Sequence, residues 1–121
     1  MSTHQMICHL NDSFRLALGE RTASPAPAPK PPAILKLIAL RLPLPWPRNY
    51  ATRPEMDQLL TGTPPAQFST DTALLRSLLD RFADPNFSAF APHPVFGIMS
   101  TWEWRRWAFL HADHHFRQSG L

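Results

Sequence analysis

Apolar residues recur along this chain at intervals of three and four, the spacing that gathers them on one face of a helix. Met6, Ile7, Leu10, Phe14 and Ala17 make the first such stripe. Thr3 ahead of it and Gly19 behind it supply a start and a stop, which predicts a helix over about residues 4–18. A shorter apolar run covers 33–42 and ends at Pro43. Pro54 opens a turn through Leu60 that Gly62 closes. Leu74, Leu75, Leu78, Leu79 and Phe82 form another stripe, capped by Ser69 and followed by Pro85, and predict a helix over 70–83. The run "STWE" is a capping box, in which Ser100 bonds the amide three residues on and Glu103 reaches back. It starts a helix over 101–117, with Gly120 after it. Strand-type alternation of apolar and polar residues is absent, so the expected fold is all-α, a bundle of short amphipathic helices.

Proline interrupts this pattern in one region. Of the 14 prolines, 11 lie between Pro25 and Pro65, where each removes a backbone donor and fixes φ. "SPAPAPKPP" reads as an extended, polyproline-like segment, and 24–65 as a long irregular connection inside one domain spanning 1–121. The chain of 121 residues has room for a single core, and 44% apolar against 17% charged residues favours folding over disorder. The net charge of +3 comes from scattered basic residues, so no patch for a nucleic acid is expected. Cys8 is the single cysteine, which excludes an intramolecular disulfide and a zinc site built from cysteines. "MSTHQMICHLND" has no signal-peptide pattern. "AILKLIALRLPLP" carries Lys36 and Arg41 and is broken by Pro43, short of the roughly 20 apolar residues that cross a bilayer. A cytoplasmic location without membrane contact is expected.

Candidate chemistry sits in "HADHHFRQ". On a helical wheel Trp104, Trp107, Ala108, His111 and His115 share an arc of roughly 100°. Arg105, Arg106, Asp113 and Arg117 fall outside it, and His114 sits at its edge. Two imidazoles four residues apart on one face can reach one divalent ion, or can be hydrogen-bonded core residues. A third donor is needed for a sound metal site. His9 borders the first stripe and is the best placed, whether as a ligand or as a residue at the solvent edge; His4 lies on the polar side, and His93 lies between two prolines. Asp12 and Asp113 are solvated charges, partners of the ligands, or a general base. Phe109 and Phe116 fall opposite the histidines, suited either to a homodimer contact or to packing under the proline-rich segment.

The stretch "HPVFGIMSTWEWRRWAFLHADHHFRQSG" resembles the closing signature of the domain-of-unknown-function family 1569, within the DinB/YfiT-like superfamily of metal-binding four-helix bundles. "HQMICHLNDSFRLALG", "LPWPRNYATRPEM" and "GTPPAQFSTDTALLRSLLDRFA" resemble its early helix, proline-rich middle and third helix. The resemblance implies a DinB-like up-down bundle with a metal triad of His9, His111 and His115. It implies a divalent ion (zinc, nickel, manganese or iron) with open positions facing a pocket. It also implies either metal-dependent hydrolysis or thiol transfer on a small molecule, such as a low-molecular-weight thiol, or a non-catalytic metal-stabilised module. Relatives carry a long helix ahead of the one bearing the first histidine, so here the first helix is expected to be missing, or the start to be assigned too late. Leu10, Phe14, Leu75 and Leu79 would then lack full cover, unless the 33–42 segment supplies it.

Overall fold

The computed structural model describes residues 1–25, 32–47 and 52–121. The order of helices is α1 (Thr3–Ala17), α2 (Pro32–Arg41), α3 (Phe68–Ala83) and α4 (Thr101–Gln118), with a 3-10 turn at Pro54–Met56. Among the described residues the sole extended pairing is the two-bond bridge between His93 and Gly97. The fold is therefore all-α, as the periodicity predicts. Most of the polyproline-like run falls outside the described residues. Within the proline-rich connection, the apolar run forms the ten-residue α2.

The helix starts show which caps the chain uses. Ser2, not Thr3, caps α1: its hydroxyl accepts from the Gln5 amide, and the Gln5 side chain accepts from the Ser2 amide. Glutamine three residues after serine is a capping box, one position earlier than the sequence reading placed the cap. Ser100 and Glu103 form the expected box at α4. At α3 the cap position is Gln67, without a side-chain bond, and Ser69 lies inside the helix. Gly19 follows α1 with φ 77°, the left-handed conformation that ends a helix at little cost in glycine.

α1 is the central element. Met6, Leu10, Phe14 and Ala17 are fully buried, and so are the polar Asp12 and Ser13. Phe14 meets Phe82 of α3 and Trp107 of α4 edge-on, at ring separations of 4.9 and 5.8 Å. Leu10, Phe14 and Leu75 are thus buried, whereas Leu79 is only partly covered. α2 packs on α4: Lys36 pairs with Glu103 at 3.1 Å, and the Arg106 guanidinium donates to the Leu40 carbonyl. Arg105 donates to the carbonyls of Phe82, Asp84 and Phe87, satisfying acceptors at the end of α3 where a cation is favoured. Phe109 stays exposed, and Phe116 packs against the core.

Candidate metal centre

The helical wheel placed His111 and His115 one turn apart on the inner face of α4, and the fold brings His9 of α1 against both. The His9 ring lies 5.3 Å from that of His111 and 4.5 Å from that of His115; the two α4 rings are 4.7 Å apart. One ring nitrogen from each of the three lies within 4.8 Å of the others. His4, His93 and His114 are not part of this group. His9 is buried, and His111 and His115 are half-buried, so the cluster is closed on the α1 side and partly open on the other.

Hydrogen bonding fixes which nitrogen of His9 faces inward. His9 Nδ1 lies 2.9 Å from the Met56 carbonyl oxygen, which can only accept, so Nδ1 carries the proton. Nε2 of neutral His9 then presents a lone pair, 3.1 Å from His111 Nε2. Burial pushes all three imidazoles toward the neutral form. The His9 pKa falls by desolvation, against the opposing effects of the Met56 carbonyl and Asp12. His111 falls well below its ordinary value, by burial first and then by the proximity of His9 and His115. His115 falls to about 3, by burial first and then by the proximity of His9 and His114. Neutral imidazole is the form that binds a metal.

The residues present fit a cation. Nitrogens about 2.0–2.1 Å from a shared ion are separated by roughly 2.9–3.4 Å, for right-angled to tetrahedral arrangements. The separation of His9 and His111 falls in that range. His115 Nδ1 is buried without a hydrogen-bond partner, a costly state for a polar atom that a metal–nitrogen bond would relieve.

Several residues around the cluster escaped the sequence reading. The Met56 carbonyl is a backbone atom, so no residue type announces it. Asp12 is not a solvated charge: it is fully buried, accepts from Thr63 N–H and Oγ1–H at 2.7 Å and from Gln58, and lies 3.3 Å from Arg21. Arg21 in turn donates to the carbonyls of Glu55 and Thr61. Together they pin the segment 54–63 onto α1 and so hold the Met56 carbonyl against His9. Gly62 completes that turn, since a Cβ there would come within 2.8 Å of the Asp57 backbone. Trp46 lies across His111 and His114 at 6.1 Å from each ring, its indole donating to the Ala39 carbonyl. Asp113 points outward and pairs with Arg117 at 2.8 Å.

Fold and cluster together define a small all-α protein in which three imidazoles from two helices converge within the core's edge. A DinB superfamily profile matches residues 1–119, and the chain belongs to that superfamily, whose members are metal-binding helical bundles. Comparison with curated proteins gave no match, and comparison with solved structures gave none.

Proposed function

We propose that this protein holds one divalent cation through His9, His111 and His115 and belongs to the subgroup typified by the domain-of-unknown-function family 1569. The observation that carries the proposal is the convergence of one ring nitrogen from each of the three histidines within 4.8 Å of the others, those of His9 and His111 standing 3.1 Å apart. A bound divalent ion lowers the pKa of a water or thiol ligand and polarises a carbonyl, which suits hydrolysis or thiol transfer on a small molecule. The chain's own residues divide the remaining work. Met56 fixes the His9 tautomer, and Trp46 and Trp107 wall the cluster. The half-buried side of His111 and His115 leaves room for a ligand from solvent.

A non-catalytic, metal-stabilised module is the second reading, and one observation favours it. Asp12 is occupied by Arg21 and Thr63, and Asp113 by Arg117, so neither is a ready general base. Metal content by elemental analysis tests the site itself. His111→Ala and His115→Ala should each hold about one ion per chain fewer than wild type, and His9→Ala should weaken binding severely; a metal content equal to that of wild type in both α4 variants would overturn the proposal. Turnover of a thiol-transfer or amide substrate by the metal-loaded protein separates the enzyme from the module.

A further inference from the structure

A second set of donors lies on a different face of α1. His4 and Cys8 are four residues apart, the same spacing as His111 and His115, and both face the first turn of α3. There His4 Nε2 lies 2.6 Å from Asp71 Oδ2, and Cys8 Sγ lies 3.7 Å from the same oxygen. Nitrogen, sulfur and carboxylate oxygen all fall within 4.8 Å of one another. We propose that His4, Cys8 and Asp71 form a second cation site, selective for zinc or a similarly thiophilic divalent ion, that ties α1 to α3. It goes beyond the three-histidine centre and does not rest on it.

The geometry suits a sulfur–nitrogen–oxygen site. With Zn–S near 2.3 Å and Zn–N and Zn–O near 2.0–2.1 Å, tetrahedral ligand atoms stand about 3.3–3.6 Å apart. The sulfur–oxygen separation is already close to that, and the nitrogen–oxygen pair need open by only about 0.7 Å as an ion replaces the shared proton. The donors are also held in place beforehand. The Ala66 amide donates to Asp71 Oδ2 at 3.2 Å, Asn11 donates to the Asp71 carbonyl at 3.0 Å, and the His4 ring meets Phe68 edge-on at 5.3 Å. Cys8 is buried while the His4 and Asp71 side chains are 25% and 15% exposed, so an ion has a path in and a position left for water. Thiolate selects zinc over magnesium or calcium, which prefer oxygen. A single cysteine cannot build a cysteine cluster, but here it is one donor among three of different kinds.

The competing account is a hydrogen-bonded histidine–aspartate pair with an inert thiol beside it, and cobalt(II) separates the two. Thiolate bound to cobalt gives a ligand-to-metal charge-transfer absorption in the near ultraviolet, and the three-histidine centre contains no sulfur. Cys8 is the only thiol, so the band has one source. Cobalt-loaded wild type should show it at a molar intensity independent of protein concentration. His111→Ala should keep it, and Cys8→Ser and Asp71→Asn should lose it. Zinc content should fall by about one ion per chain in Cys8→Ser relative to wild type. Absence of the band from the cobalt-loaded wild type, or equal zinc in wild type and Cys8→Ser, overturns the second site. Because the band is read on unaltered protein, a variant that fails to fold does not decide the outcome. Loss of metal in His111→Ala with the band intact would bear on the first site alone.

Discussion

His93 shows how far a residue's surroundings can depart from its place in the sequence. Flanked by Pro92 and Pro94, it has the look of a loop position. In the fold its ring stacks on Phe96 at 4.5 Å and packs against Trp104 and Trp107 at 5.5 and 5.6 Å. Nδ1 accepts from the amides of Val95 and Phe96, which fixes the turn that Gly97 completes with φ 71°. Burial alone lowers its pKa from 6.5 to about 3. The sign of the consequence follows from which state takes up the proton. Above about pH 6.5 His93 is neutral folded or unfolded and costs nothing. As pH falls from there toward 3, the unfolded chain binds a proton that the folded chain does not, and stability declines. The slope approaches about 1.4 kcal/mol per pH unit for each such histidine. His93→Asn, whose Oδ1 can replace Nδ1 as acceptor, should remove the share of this dependence that His93 contributes beside His9, His111 and His115. Urea unfolding of metal-free protein at about pH 7 and about pH 5 measures it. An unchanged difference between the two pH values would show that His93 is not among the groups responsible.

At the scale of elements, what was legible in the sequence is what local chemistry determines. The Ser100 box and the α4 stripe depend on residues within a few positions of each other, and they place Trp104 and Trp107 in the core, 1% and 5% exposed. Truncating either to Ala should cost on the order of 3–5 kcal/mol. Trp104 Nε1 is buried without a partner, so Trp104→Phe, which removes that atom and keeps an aromatic ring, should cost distinctly less than Trp104→Ala. Equal losses in chemical denaturation would contradict this. Missing a cap by one residue at Ser2 cost little, because serine and threonine compete for the same role. Of the alternatives for Asp12, the solvated charge is excluded, for a different reason. Its partners Arg21, Gln58 and Thr63 come from other segments, and no local pattern marks a carboxylate that will be buried by them. Removing it leaves Arg21 without its counter-charge, so Asp12→Ala should destabilise by about 3–5 kcal/mol. Release of the 54–63 segment should also loosen the Met56 carbonyl from His9 and weaken metal binding by about 10–100-fold. Metal titration of Asp12→Ala against wild type, under conditions where both are folded, checks the second effect. Unchanged affinity would mean that His9 is held by α1 alone.

Across the whole molecule, the histidine cluster joins α1 to α4, which meet far less extensively than α1 and α3 do. Leu75, Leu78 and Phe82 of α3 pack along α1, whereas α1 and α4 meet through a few side chains, chiefly Phe14 with Trp107 and His9 with His111 and His115. An ion held by His9, His111 and His115 would therefore close the bundle across its less-packed side. The unfolded chain cannot gather these donors, so binding energy becomes folding energy. At a free ion concentration of about 100 times Kd the gain is about 2.7 kcal/mol, and it should vanish on chelation. Thermal melts of wild type with zinc and with chelator give the total gain. The same pair of melts on His111→Ala removes the contribution of the cluster, and any gain that persists is assigned to His4, Cys8 and Asp71. Since those residues bridge α1 to α3, already the best-packed pair, the persisting gain should be the smaller of the two. A His111→Ala protein that zinc stabilises as much as wild type would place the structural ion between α1 and α3 and leave the histidine cluster without a part in folding.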